Sequence, residues 1–387
     1  MSGATTSSWP VSPESAGFGV YVHVPFCTRR CDYCAFATWT DRFSLARDYV
    51  GACVAEARRA RYAGEMPPAT SVFFGGGTPS LLEPDAIGSI LSEIQLEDGA
   101  EVTVECNPDT VDEVRLRGYG AVGVNRLSFG VQSMVPHVLR SLGRSHSAGA
   151  VRSAVEAAAR AGFEGAYNVD LIFGGVGESV DDWSTTLSAV LALDPPPTHV
   201  SAYALTVEPG TPLAADPSRH PDPDDQADKY ALADTVFSQV GLEWYEISNW
   251  AVPGHECRHN LLYWRQGEYL GIGCAAHSHR RDRAAGTARR WWNVRTPERY
   301  IKLVTEGAPA EAAGEDLSSQ ERVVEALQLA LRTRGGIPAS ALPDDPALDG
   351  LVEPSGSGMV ALTTRGRLLA NEVALRLQVP SGASSVS

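Results

Sequence analysis

Three cysteines carry the first chemical signal in this chain. Cys27, Cys31 and Cys34 fall within Cys27-Thr28-Arg29-Arg30-Cys31-Asp32-Tyr33-Cys34, a C-x3-C-x2-C spacing. Thiolates are soft ligands that select iron–sulfur or zinc centres, and a cubane needs three or four anionic sulfurs converging from one loop. Three local thiolates leave one iron of a 4Fe–4S cluster without a protein ligand. That open position can bind a small molecule, so the loop suits chemistry as well as electron storage. A structural zinc site is the plainer alternative, but such sites are normally closed by four tetrahedral ligands. The nearest further donor, His23, precedes the first cysteine in an alternating strand pattern. A chance run of core cysteines is the third reading.

Such a loop needs a scaffold. From Phe18 to about Ile247, short β-rich runs alternate with helix-like apolar spacing, which implies repeated βα units and a parallel sheet. Strands are predicted at 19–24, 71–74, 101–105, 126–131, 166–173 and 199–205, with a further candidate at 243–247. Helices are predicted at 45–62, 85–95, 148–161, 180–192 and 224–240.

Ligands of parallel α/β sheets bind where loops converge at the carboxyl ends of strands. The first strand ends at the cysteine loop, and the second at Gly75-Gly76-Gly77-Thr78-Pro79. Residues without Cβ let the backbone approach a ligand, although a glycine run alone reads as a tight turn. The third strand ends at Glu105-Cys106-Asn107-Pro108, the fourth at Gly130-Val131-Gln132-Ser133, and the fifth carries Asn168-Val169-Asp170. A lone buried carboxylate is costly, so Glu105 and Asp170 are expected to face a partner or a polar ligand. Arg144 is either a bidentate partner for a ligand carboxylate or a solvated surface arginine.

Composition narrows the classes. The 387 residues, 43% hydrophobic and 20% charged, suit a globular chain with one large and one smaller domain, or two comparable ones. A net charge of −15 argues against broad nucleic-acid binding. Residues 1–17 are rich in Ser, Pro and Gly, read as flexible, and lack the regions of a signal peptide. Without an apolar run long enough to cross a bilayer, the expected location is cytoplasmic, with peripheral membrane contact left open. Seven cysteines, an odd number, do not read as a disulfide framework, and a reducing compartment fits better. Cys53, Cys106, Cys257 and Cys274 read as buried small hydrophobes.

Beyond the βα region, His259-Asn260-Leu261-Leu262-Tyr263-Trp264 sets an imidazole beside two aromatics. Such a group can ligate and stack on a porphyrin, and it is equally common in cores. Ser318-Ser319-Gln320-Glu321 has capping-box spacing, and a hairpin is predicted around 351–362 before a final helix. This segment reads as a small winged-helix-like α+β module that is not notably basic, hence a cover over the main domain or a partner surface. The predicted division is 1–17 flexible, 18–250 core, 251–310 connecting, 311–378 C-terminal module and 379–387 disordered.

The cysteine spacing, with aromatic Tyr33 before the last thiol, resembles the cluster loop of the radical S-adenosylmethionine (SAM) enzymes. The preceding Tyr21-Val22-His23-Val24-Pro25-Phe26 resembles the branch that holds oxygen-independent coproporphyrinogen III oxidase and the haem chaperones. The resemblance implies a partial (β/α) TIM-like barrel of the radical SAM type, an α/β fold. It implies a 4Fe–4S cluster on Cys27, Cys31 and Cys34, with SAM on the open iron, where reductive cleavage yields a 5′-deoxyadenosyl radical. Tyr21, Gly76 and Glu105 would contact that SAM, with Tyr33 in the same set. Gly77, Thr78, Gln132, Arg144 and Asp170 match positions that hold a second SAM in the oxidase. The H-N-x-x-Y-W stretch resembles a motif of the chaperones, which implies haem on His259, ranked above the nearby alternatives His255, His277 and His279, and haem-acceptor proteins as partners. Where the oxidase pattern has a fourth cysteine, this chain has Phe36. That departure favours the chaperone, with the oxidase as the alternative.

Overall fold

The computed structural model describes residues 17–379, so the predicted flexible start and disordered tail lie outside the described residues save for Gly17 and Val379. A twelve-stranded sheet organises the chain. Its first six strands are β1 (Phe18–Val24), β2 (Ala69–Gly76), β3 (Leu96–Cys106), β4 (Arg126–Gln132), β5 (Tyr167–Phe173) and β6 (His199–Ala204). They run parallel in sequence order. The hairpin of β7 (Glu243–Glu246) and β8 (Asn249–Ala251) adds antiparallel strands beside β6. At the other edge β9 (Glu268–Ile272) lies parallel to β1. Three antiparallel strands then extend the sheet outward: β10 (His277–Asp282), β11 (Thr287–Asn293) and β12 (Glu311–Leu317). The mixed α/β expectation with a large parallel sheet holds.

Parallel strands are covered on both faces, and β1 shows it: Val20, Val22 and Val24 are wholly buried, and of the residues between them His23 is buried and Tyr21 half-buried. The helices α1 (Ala46–Tyr62), α2 (Pro84–Leu91), α3 (Glu113–Ala121), α4 (Pro136–Ser141), α5 (Ala148–Arg160), α6 (Val180–Leu191) and α7 (Pro223–Gln239) alternate with the strands. In α1 the buried residues Tyr49, Ala52, Cys53, Glu56, Ala57 and Ala60 recur at helical spacing and form one stripe. Ser179 and Asp182 cap α6 reciprocally, satisfying donors that a helix start leaves free.

Buried polar groups on α1 fasten the late strands to the first. The Glu56 carboxylate accepts from the Gly273 backbone N–H (2.9 Å), Asn293 Nδ2 (2.9 Å) and Tyr300 Oη (2.6 Å). Tyr49 Oη donates to the His23 carbonyl (2.7 Å) and accepts from the Cys274 N–H (2.9 Å). The turn after β9 is thereby tied to the end of β1. Gly273, at φ +97°, passes so near Tyr49 that an added Cβ would lie 2.4 Å from its hydroxyl.

The chain continues through α8 (Arg258–Trp264), α9 (Pro297–Thr305) and α10 (Ser319–Ala330). The predicted capping box opens α10, with Ser318 N donating to Glu321 at 2.8 Å and Glu321 N to Ser318 Oγ at 3.3 Å. A three-stranded sheet of β13 (Ile337–Pro338), β14 (Val352–Gly356) and β15 (Met359–Leu362), then α11 (Thr364–Leu368) and α12 (Ala370–Ala374), completes a module with its own apolar cluster. Arg367 joins it to α7 through two hydrogen bonds to the Asp234 carboxylate, at 2.8 and 2.6 Å.

Candidate cluster and ligand site

The cysteine loop leaves β1 at Val24 and is held at its base and its tip. Cys27 N donates to the Trp39 carbonyl (3.1 Å), and Trp39 N to that of Pro25 (2.8 Å). At the tip, Leu213 N donates to the Asp32 carbonyl (3.0 Å) while Arg219 pairs with the Asp32 carboxylate (2.8 Å). Tyr33 packs into an apolar patch with Val138, Leu142, Leu205 and Leu213. The three thiols remain half-buried.

Polar donors from other strand ends meet two of these sulfurs. Thr78 Oγ1 lies 3.7 Å from Cys27 Sγ, and Arg144 Nη1 lies 3.4 Å from Cys31 Sγ. Asn107 joins the two donors: its Nδ2 donates to Thr78 Oγ1 (3.2 Å) and its Oδ1 accepts from Arg144 Nη2 (2.7 Å). Arg144 also donates to the Gly130 carbonyl (2.8 Å), so it is a fixed part of the loop's surroundings and not a solvated surface arginine. Burial raises the Cys27 and Cys34 thiols above their ordinary range. Donors and a guanidinium stabilise sulfur charge, and the set of three thiols fits an anionic 4Fe–4S cluster. The other four cysteines are buried and engaged elsewhere, Cys53 by Tyr300, Cys106 by the Val104 carbonyl, Cys257 by Glu101 and Cys274 by Tyr49.

His23 is not free to join them. Its Nε2 donates to the Ala37 carbonyl (2.9 Å), which leaves Nδ1 to accept from Tyr21 Oη (3.1 Å). Burial lowers its pKa to about 4, so the ring is neutral. The glycine run closes over this ring. Gly76 has φ +108°, and an added Cβ would stand 2.4 Å from His23 Cε1. Gly77 N donates to the Val24 carbonyl (2.8 Å), and a Cβ there would come within 2.6 Å of the Phe26 carbonyl.

Glu105, at the end of β3, accepts from the Gly76 N–H at 3.1 Å. It lines a cavity of about 170 Å³ with Tyr21, Asp170 and His259. Burial first, and then the nearby Asp170 charge, push Glu105 up to about 8. Burial also raises Asp170, although Ser128 Oγ (2.8 Å) and Asn168 Nδ2 (2.7 Å) donate to it. Two carboxylates sharing so small a space favour a cationic occupant. Gln132 sits at a register shift between β4 and β5 with φ +65°, a bulge that turns its amide toward Gly130.

A larger cavity of about 790 Å³ opens beside the cysteine loop, with Phe36, Tyr263, His277, Trp292 and Arg295 on its walls. Tyr21 and Tyr263 border both cavities. Phe36 is 65% exposed.

The His259 motif lies at the opposite, amino-terminal ends of the strands. The Glu101 carboxylate accepts from the first N–H groups of α8, those of Arg258 and His259, each at 3.2 Å. His259 Nδ1 shares a hydrogen bond with Ser71 Oγ (2.9 Å) and Nε2 one with Tyr263 Oη (2.8 Å). The ring stacks on Phe73, and burial lowers its pKa to about 3. With both nitrogens engaged and 1% exposure, His259 is packed into the sheet interior. Tyr263 is the member of the motif that reaches the larger cavity.

The Radical SAM superfamily profile matches residues 21–190. Heme chaperone HemW of Mycobacterium tuberculosis (strain ATCC 25618 / H37Rv) is 40% identical over 381 residues, covering 92% of this chain and 93% of the relative. The chain belongs to the HemW family. A Haemophilus influenzae HemW is 34% identical, with 75% of this chain and 77% of the relative covered. Among solved structures, coproporphyrinogen III oxidase (HemN) from Escherichia coli aligns at TM-score 0.77 and 22% identity, covering 93% of this chain and 89% of that one. That likeness is one of fold, and the mixed α/β scaffold with its large parallel sheet is of the HemN-like radical SAM type.

The site of this HemW member contains residues that sequence reasoning did not single out. Asn107 stood within the third strand-end motif, and only its three-dimensional neighbours reveal the bridge from Thr78 to Arg144. Trp292 carried no motif that assigned it to a ligand, and His277 stood only as an alternative behind His259, since their cavity arises from strands added after residue 268.

Proposed function

We propose that this protein is a haem chaperone that holds a 4Fe–4S cluster and SAM, binds haem and passes it to acceptor proteins. HemW relatives named as heme chaperones support the reading. The observation that carries it is the cavity of about 790 Å³ beside the three-thiol loop, walled by aromatic and imidazole groups. Its volume lies in the range of sites for sizeable ligands, roughly 300–1,000 Å³.

Cys27, Cys31 and Cys34 would hold the cluster, which when bound supplies an electron and an iron with room for SAM. Tyr21, Gly76 and Glu105 border the place proposed for SAM, and Glu105 and Asp170 offer negative charge to its sulfonium and ammonium groups. Gly77, Thr78, Gln132 and Arg144 would position the loop or a second SAM, and Tyr33 would anchor the loop through its apolar packing. None of these residues is assigned proton transfer. No helix among the described residues is long and apolar enough to cross a membrane. With seven unpaired cysteines, the reading places the protein in a reducing cytoplasm.

The oxidase alternative gains no observation of its own, and Phe36 occupies the place of the oxidase cysteine. Anaerobically reconstituted protein with SAM and reductant should develop a Soret band with haem and transfer it to an apo-acceptor. The same preparation should leave coproporphyrinogen III unconverted. Sustained formation of protoporphyrinogen IX would move the protein to the oxidase reading.

A further inference from the structure

We infer that His277, and not His259, is the iron ligand of the haem seat, on the wall that β10 and β11 give to the larger cavity. The inference rests on the haem-chaperone reading and names its ligand. Size separates the two histidines first. His259 borders a cavity of about 170 Å³, too small for a tetrapyrrole, whereas His277 borders one of about 790 Å³.

Availability separates them next. His277 is exposed, and among the described residues neither ring nitrogen makes a hydrogen bond. Its ring stacks on Trp292, its cross-strand partner, with centroids 5.5 Å apart and planes 25° from parallel. An imidazole with a free lone pair is an axial ligand for haem iron, and an adjacent indole covers apolar macrocycle surface. His279, two residues on and facing the same way, donates through Nδ1 to the Gly267 carbonyl (2.8 Å) and is 2% exposed, so a macrocycle reaches it only if the wall opens.

The same wall supplies a group for the haem propionates. Arg290 is committed to Glu315 (2.7 Å) and Glu325. Arg295, exposed at the cavity, makes no ion pair among the described residues and can take a carboxylate bidentately. Phe36 and Ala35 bring the cluster loop to the same cavity. Macrocycle faces, metal and carboxylates thus each meet a matching group.

Haem titration of the cluster-reconstituted full chain, read by Soret absorption and by electron paramagnetic resonance of the haem, tests the assignment. In His277→Gly the histidine-ligated spectrum should vanish and affinity fall at least tenfold, and added imidazole should restore the spectrum. His259→Asn, which keeps a hydrogen-bonding side chain in the core, should bind within about twofold of the native protein. Arg295→Ala should weaken haem but leave binding of its dimethyl ester unchanged. Native binding together with an unaltered spectrum in His277→Gly, or ligation lost only in a His259 or His279 variant, overturns the inference alone. Failure of the native protein to bind haem overturns the chaperone reading beneath it.

Discussion

Glu105 couples ligand binding to pH. Its ordinary value of 4.5 is raised to about 8 by burial and by Asp170, so the fold favours the neutral acid. The folded state therefore holds a proton that the unfolded chain has released, and this contribution to stability is lost as pH rises from about 4.5 through about 8. A cationic ligand needs the ionised form, so SAM affinity should rise with pH and level off above about 8. Glu105→Gln should remove that pH dependence in calorimetric titrations, weaken SAM at least tenfold, and raise stability at pH 8 by on the order of 1–3 kcal/mol. At the same scale, Ala at Cys27, Cys31 and Cys34 together should abolish iron, sulfide and the visible absorption, while far-ultraviolet circular dichroism stays near native. Retention of full iron in that variant would reject the cluster loop. The residue types of the loop were legible because thiolate chemistry demands them at short spacing. The state of Glu105 was legible only as a demand for a partner, since the identity of its neighbours depends on strand packing.

The strand ends explain why the glycine run cannot be read as a ligand cradle alone. Gly76→Ala places a Cβ against the His23 ring at φ +108°, so it should disturb the Tyr21–His23–Ala37 chain as well as SAM. We expect a loss of about 2–4 kcal/mol in denaturant unfolding together with weaker SAM binding. An unchanged unfolding midpoint would show that the backbone relaxes around the methyl group. The parallel strands β1 to β6 and most intervening helices were legible, because apolar periodicity and glycine punctuation record them directly. The four strands β9 to β12 were not. Their pattern is short and arginine-rich, as in His279-Arg280-Arg281-Asp282, and their stability comes from Glu56 and Tyr49 on a helix more than 200 residues earlier in sequence. The same remoteness hid the role of α8: the H-N-x-x-Y-W motif was visible, but its capping by Glu101 at the far ends of the strands was not.

Across the whole molecule, a largely buried ion pair ties the C-terminal module to α7. Arg367 grips Asp234 bidentately and lies 4.4 Å over the Trp244 ring. Burial alone would raise the Asp234 carboxyl, but Arg367, Trp250 and Thr364 together hold it below 3.8. The pair therefore stabilises docking above that value and lets go as pH falls through the lower folded one. Arg367→Met should leave Asp234 buried without its partner and cost about 3 kcal/mol, seen as earlier proteolysis near residues 319–377. Equal protease resistance in the variant would mean that the module's remaining contacts suffice to hold it.

The parallel pairing of β1 with β9, from Phe18 opposite Glu268 to Val22 opposite Ile272, also sets a timetable for biosynthesis. A chain leaving the ribosome exposes its three loop cysteines long before residue 268 is made, and β1 has an open edge until β9 arrives. Pairings between such distant segments form late, and an unpaired parallel edge invites association with other chains. The Tyr49 hydroxyl that holds the His23 carbonyl gains its second partner, Cys274, at the same late moment. Nascent chains stopped before residue 268 should therefore aggregate and take up no iron, whereas chains released after residue 317 should stay in solution and take up iron.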